Sequence, residues 1–239
     1  MIDYLDTSLA KLFKTIDFSA LKKSVKNKGF FQIGNINDDA FCKEICDEID
    51  QLATDVKTES NFGNTEQRVW EAHKKSKFIN LFFSFSNQII SKVKNMDTVA
   101  YDTLAIKNEG LVDKNEKNIQ NRWHRDSAKV QLKVFLFLTS VSEENGPLQF
   151  VTGTHTLGAK WECFKSGKLI TLSDIFESSG SRRYEALSDQ YINNIINSGY
   201  NLKSFLVSAG TCLIVDTSGL HRAKPCYQNS RYALTSYYS

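Results

Sequence analysis

The chain has 239 residues, 41% of them hydrophobic and 24% charged, which suits one sizeable core rather than two. A formal net charge of +3, with no polybasic tail or basic stripe, gives no electrostatic case for nucleic acid as a partner. No stretch approaches the roughly 20 apolar residues of a membrane span, the opening residues lack the apolar run of a secretory signal, and the five cysteines show no disulfide spacing. A reduced, cytoplasmic protein is expected, with no membrane span.

Taken along the chain, residues 1–97 read as mostly helical. LKKSVKNKGFFQI predicts a helix ending at Gly29 and a short strand from Phe30 to Ile33. Asn37, Asp38 and Asp39 supply capping chemistry for a helix over AFCKEICDEIDQLA, with Phe41, Ile45, Ile49 and Leu52 on one side. Cys42 and Cys46 fall four apart on that helix. A polar loop, TESNFGNTEQ, precedes a second long helical pattern over residues 78–93. The lysine groups at 22, 23, 26 and 28 and at 74, 75 and 77 read as solvated helix faces.

From residue 98 the pattern becomes β-rich: TVAYDTLAI, VQLKVFLFLTSV, LQFV, SFLVS, TCLIVD and RYALTSYY, separated by Gly and Asn turns. In the second run Val130, Leu132, Val134, Leu136 and Leu138 share one face, and Lys133, Phe135 and Phe137 the other. Short strands of this kind predict a sandwich or barrel. A long insertion at about 160–201, with FESSGSRRYE and the helical run SDQYINNIINSG, is either surface decoration or a cover over a site. A single domain is expected.

The chain has four histidines, His73, His124, His155 and His221. In Trp123-His124-Arg125-Asp126 the imidazole and the carboxylate stand two apart, so on extended backbone they share a face and can converge on one cation. His221 closes the strand-to-turn passage VDTSGLH. Two histidines and one carboxylate occupy one face of an octahedron and leave the rest open, the ligand geometry typical of iron(II) oxygenases. Alone, an H-x-D step is a weak sign, since either histidine serves equally well as a hydrogen-bonded core residue. Ten residues after His221, Arg231 opens RYALTSYY; it is either a structural ion-pair partner or a bidentate carboxylate anchor.

The ordered set of Trp123-His124-Arg125-Asp126, Glu144-Asn145-Gly146-Pro147-Leu148 leading to Gly153-Thr154-His155, then His221 and Arg231, resembles the phytanoyl-CoA dioxygenase family. The resemblance runs from about residue 98 to the C-terminus, and GFFQIGNINDDAFCKEI is similar, less specifically, to that family's opening. It implies a mainly β fold with flanking helices around a double-stranded β-helix (jelly-roll, cupin-like) core. It also implies an iron(II)- and 2-oxoglutarate-dependent dioxygenase that oxidises a small-molecule or lipid-like metabolite with dioxygen, releasing succinate and carbon dioxide.

Carried over by position, the resemblance makes His124, Asp126 and His221 the metal ligands and Arg231 the anchor for the far carboxylate of 2-oxoglutarate. Lys133 and Gln149 either line the cosubstrate pocket or are structural. Gly146 and Gly153 permit tight turns, and His155 is read as a turn residue rather than a ligand. His73 is structural or substrate-proximal. Arg182 and Arg183 are exposed loop charges or contacts for an acidic group. Related halogenases carry a small residue where Asp126 stands, so hydroxylation is expected rather than halogenation. Two other readings stay open: a cupin-like metalloenzyme without 2-oxoglutarate, in which Arg231 has no special role, and a non-catalytic binding module on the same barrel.

Overall fold

The computed structural model describes residues 2–55, 66–110, 122–165 and 187–239. Helices α1 (Ile2–Lys14) and α2 (Phe18–Lys28) lead into strand β1 (Phe30–Asn35), followed by helix α3 (Asp39–Asp55). Strand β2 (Glu66–Val69), helices α4 (Ala72–Lys75) and α5 (Lys77–Lys94) and strand β3 (Asp102–Asn108) come next. Strands β4 (Leu132–Phe137) and β5 (Leu148–Val151) then precede helices α6 (Leu157–Lys165) and α7 (Asp189–Asn197). Strands β6 (Leu202–Ser204), β7 (Thr211–Asp216), β8 (His221–Ala223) and β9 (Arg231–Tyr238) complete the described elements.

Local chemistry accounts for the helix ends. The Asp17 carboxylate accepts from the amides of Ser19 and Ala20, both at 2.9 Å, and starts α2. Asp38 does the same for α3 through the Phe41 amide at 3.1 Å. Gly29 ends α2 at φ 90°, as its position in the sequence predicts. A Cβ there would also come within 2.7 Å of the Phe150 ring, so the site demands glycine twice over.

The strands form two antiparallel sheets, one of six strands ordered β1-β7-β4-β9-β3-β2 and one of three ordered β6-β5-β8. Alternation along β4 divides the core, because successive side chains point to opposite faces. Leu132, Val134 and Leu136 pack with Phe41, Ile45, Phe82 and Ile89 of the helical layer. Phe135 and Phe137 instead meet Leu213, Val215 and Ala233 of the large sheet and Leu148 and Phe150 of the small one. Each such buried side chain contributes about 1.5–3 kcal/mol, so helices, large sheet and small sheet are held as successive layers. This is the double-stranded β-helix with flanking helices that the resemblance implies.

Four local expectations need correcting. Val130 does not join the face of Leu132; it precedes β4 and is 55% exposed. Glu66 and Gln67, assigned to a polar loop, open β2 and pair with Asn108 and Lys107. SFLVS is not one strand: β6 ends at Ser204, and Val207 makes an isolated bridge to Val141. β8 was not foreseen, since three residues are too few to show an alternation. Of the 160–201 insertion, α6 and α7 are described, while Arg182 and Arg183 lie outside the described residues. Ile192 of α7 packs with Trp123, Val151 and Leu220, on the face of the small sheet opposite Phe150.

Candidate metal centre

The site begins with a turn. Asp216 accepts through its side chain from the Ser218 amide at 3.0 Å, and its carbonyl accepts from the Gly219 amide at 3.1 Å. Asp first and Gly fourth is the residue pattern of a type I turn. The turn carries the chain out of β7 into β8. There the His221 and His124 backbones exchange two hydrogen bonds of 3.0 Å, while the Asp126 amide donates to the Thr217 carbonyl at 3.0 Å. Main-chain pairing therefore sets two distant segments side by side, and the H-x-D spacing turns His124 and Asp126 to the side of His221.

His124 Nε2 lies 3.6 Å from Asp126 Oδ1, and His221 Nε2 lies 3.5 Å from Asp126 Oδ2. One donor atom from each of the three residues falls within 4.8 Å of the others. Ligands about 2.1 Å from a shared ion sit roughly 3 Å apart, so the three donor atoms stand somewhat wider than a bound ion would hold them. The opposite ring nitrogens are held by carbonyl groups, His124 Nδ1 by Arg122 at 2.8 Å and His221 Nδ1 by Gly219 at 3.0 Å. A proton on each Nδ1 leaves each Nε2 with its lone pair facing the cluster, as a metal-binding imidazole requires. Burial, reinforced by His124, pushes the His221 pKa down to about 3, so this ring is neutral and able to donate. Burial by itself would raise the Asp126 carboxyl. The Lys133 ammonium, 2.7 Å from Oδ2, outweighs it and holds Asp126 well below the ordinary carboxylate range. Two imidazoles and one carboxylate are a donor set that fits iron(II).

Behind the cluster, the fully buried Arg125 guanidinium donates to the carbonyls of Thr154 at 2.6 Å and Ser218 at 2.5 Å. Lys160 Nζ donates to Ser218 Oγ at 2.8 Å, and burial pushes its pKa down to about 8. Further out, Arg222 lies 4.6 Å over the Trp123 ring and pairs with Asp189 of α7 at 2.7 Å. Sequence reasoning singled out none of Arg125, Lys160 and Arg222.

Arg231 lies at the start of β9 on the face that also carries Ala233, which packs between the sheets. It is buried, and its Nη2 donates to Asn108 Oδ1 at 2.6 Å. Asn108 in turn donates to Glu66 at 2.7 Å, and Glu66 is ion-paired with Arg68. Among the described residues the inward-facing cations thus divide cleanly. Lys133 pairs with Asp126 and Arg68 with Glu66, whereas the hydrogen-bond partner of Arg231 is a neutral amide. Burial lowers the Arg231 pKa from its ordinary value, the mark of a charge that an incoming carboxylate would stabilise. Asn108 and Glu66 carry no sequence signal for this role, because only strand register brings them to Arg231.

The remaining candidates separate. Lys133 joins the cluster. Gln149 does not: it lies on the face of β5 opposite Phe150, the residue paired with His221, and bonds Arg222 at 2.8 Å and Ser204 at 2.9 Å. His155 Nε2 meets the Lys26 carbonyl at 3.0 Å, in keeping with a structural turn residue. His73 stacks on Phe83 with ring centroids 4.2 Å apart. Gly146 and Gly153 have φ of +78° and +85°, the turns expected of them.

Among solved structures, the chain resembles the 2-oxoglutarate-dependent epimerase SnoN of nogalamycin biosynthesis at 14% identity and a TM-score of 0.67, covering 92% of this chain and 82% of that one. The carbocyclase SnoK of the same biosynthesis matches at 14% identity and 0.66, covering 95% and 85%. HygX from Streptomyces hygroscopicus, with nickel and 2-oxoglutarate bound, matches at 11% and 0.61, covering 92% and 86%. At such identities the likeness is one of fold. No curated protein matches the chain. The model of the phytanoyl-CoA dioxygenase family matches residues 25–229, most of the sequence and every residue of the cluster, and ends two residues before Arg231. The chain belongs to the phytanoyl-CoA dioxygenase family, with the iron(II)- and 2-oxoglutarate-dependent oxygenase chemistry of that family.

Proposed function

We propose that this chain hydroxylates a small-molecule or lipid-like metabolite with release of succinate and carbon dioxide, and that His124, Asp126 and His221 hold the metal. The observation that carries the proposal is the pair of imidazoles whose Nδ1 atoms are tied to carbonyls and whose Nε2 atoms meet one carboxylate. When bound, iron(II) with 2-oxoglutarate supplies dioxygen activation coupled to decarboxylation. The protein's own groups do the rest. Arg231 takes the distal carboxylate of the cosubstrate through paired charge-assisted hydrogen bonds. Lys133 offsets the negative charge gathered at Asp126 and borders the cosubstrate. Phe137, Phe150, Leu213 and Val215 give the barrel a dry apolar wall that limits access of bulk water.

Hydroxylation is preferred to halogenation because Asp126 occupies the position that a halide needs. Neighbours in fold include an epimerase and a carbocyclase, so the outcome has to be read from products. The test supplies the iron-loaded protein with 2-oxoglutarate, labelled dioxygen and a metabolite library, and follows succinate and product mass. One labelled oxygen in succinate and one in a product is the expected result. Substrate-dependent succinate without label in any product refutes hydroxylation, and absence of 2-oxoglutarate consumption refutes the whole reading.

A further inference from the structure

At the metal-bearing end of the large sheet, three segments bring aromatic side chains together near the surface. Trp70 follows β2 and is 36% exposed, and Tyr101 precedes β3 and is 58% exposed. Both contact the half-buried Tyr237 of β9, with ring centroids 6.3 and 5.7 Å away and planes tilted by 36° and 49°. Val99, two residues before Tyr101, and Val130, beside Gln131, are 69% and 55% exposed. Exposed apolar groups that gather in this way mark a binding surface.

Two further observations separate this cluster from accidental exposure. The segments that carry the outer rings are held in place. Asp102 Oδ1 accepts from the Glu71 amide at 3.0 Å and Lys75 Nζ donates to the Trp70 carbonyl at 2.8 Å, which fixes the turn carrying Trp70. The Tyr101 hydroxyl accepts from Gln131 Nε2 at 2.8 Å, and its amide donates to the Tyr237 carbonyl at 3.1 Å. Rings ordered before binding lose little entropy when a ligand arrives. The cluster is also continuous with the metal centre: Lys133 Nζ lies 4.4 Å over the Tyr237 ring and 2.7 Å from Asp126 Oδ2.

We infer that Trp70, Tyr101 and Tyr237 form the substrate-recognition platform, and that the substrate presents a flat aromatic ring. The inference rests on the oxygenase reading of the neighbouring site. Tilted rings give a ligand offset and edge contacts, the arrangements aromatic pairs favour. The valine flanks match an aromatic face better than a polyhydroxylated one. A ring seated there lies next to the metal ligands, on the side of the cluster away from Arg231, because Tyr237 and Arg231 stand at opposite ends of β9.

The test uses protein loaded with nickel(II) and 2-oxoglutarate, which does not turn over, and titrates it calorimetrically with 2-naphthol and, separately, with methyl β-glucopyranoside. Saturable 2-naphthol binding is expected, weakened about three- to tenfold by Trp70→Ala and by Tyr101→Ala and largely restored in Trp70→Phe. Nickel and 2-oxoglutarate affinities should not change in these variants. Equal 2-naphthol affinity across all four proteins, preference for the glucoside, no 2-naphthol binding, or burial of the patch in a dimer that Trp70→Ala dissociates would each overturn the inference. Failure of the wild type to bind nickel and 2-oxoglutarate would overturn the oxygenase reading itself.

Discussion

Replacing Arg231 by methionine should weaken 2-oxoglutarate binding about a hundred- to a thousandfold while sparing a 2-oxo acid that lacks the distal carboxylate. The magnitude follows from the surroundings of the guanidinium. Arg231 is 8% exposed, its hydrogen-bond partner is the neutral amide of Asn108, and the nearby Glu66 is engaged by Arg68. A hydrogen bond to a charged group contributes about 1.5–3 kcal/mol, and two to one carboxylate give a net effect of about 3–4 kcal/mol once the contact with Asn108 is allowed for. That energy corresponds to the stated change in Kd. Calorimetric titration of nickel-loaded protein with 2-oxoglutarate and with 2-oxobutyrate forms a double-mutant cycle in which one change is made in the ligand. For 2-oxobutyrate the expected change is within about threefold. Equal weakening of both ligands would show that Arg231 acts only on the fold, and no weakening of either would favour a cupin-like metalloenzyme that does without the cosubstrate. The thermal midpoint of each protein is the control.

Three further outcomes are expected. Asp126→Ala should abolish nickel binding and also leave the Lys133 ammonium without its partner inside the barrel, costing about 3 kcal/mol; denaturant unfolding should show Asp126→Ala with Lys133→Met to be more stable than Asp126→Ala alone. Gly219→Ala places a Cβ against the Phe150 ring, so it should destabilise the fold by about 1–3 kcal/mol and weaken nickel binding as His221 is displaced. Lys160 has a folded pKa of about 8, below its unfolded value of 10.5. At this side chain the unfolded state therefore binds more protons across that interval, so Lys160 alone adds about 1–2 kcal/mol to stability as the pH climbs from 8 to 10.5, allowing for residual solvent screening, while the thiols of Cys42, Cys46 and Cys212, raised by burial, pull the other way. Denaturant midpoints measured against pH should show wild type gaining on Lys160→Met across the interval, and a constant difference between the two would refute the assignment.

How much was legible beforehand depends on how local each cause is. The helix over α5 and the stop of α2 at Gly29 follow from neighbouring residues, because periodicity and caps are decided within a few positions. The inward and outward faces of β4 follow from alternation, which failed only at Val130, beyond the strand's end. The same period of two, applied to RYALTSYY, would have put Tyr237 on the inward face with Arg231, a step the sequence reading did not take. Gln149 was left open between pocket and structural roles for a different reason. The face of β5 that meets His221 is fixed by pairing Phe150 with His221, and no residue near Gln149 reveals that register.

By itself the sequence determined the mostly helical first part and the β-rich second part, the H-x-D step, the later histidine and the arginine beyond it, since each is a matter of residue type and short spacing. Only the tertiary structure decided that Lys133 pairs with Asp126, that Arg231 is left with a neutral partner while Arg68 takes Glu66, and that Trp70 and Tyr101 meet over Tyr237. Those contacts join residues far apart in the chain. Their partners are chosen by antiparallel register and by the packing of one sheet on the other, and neither is written in any local stretch of residues.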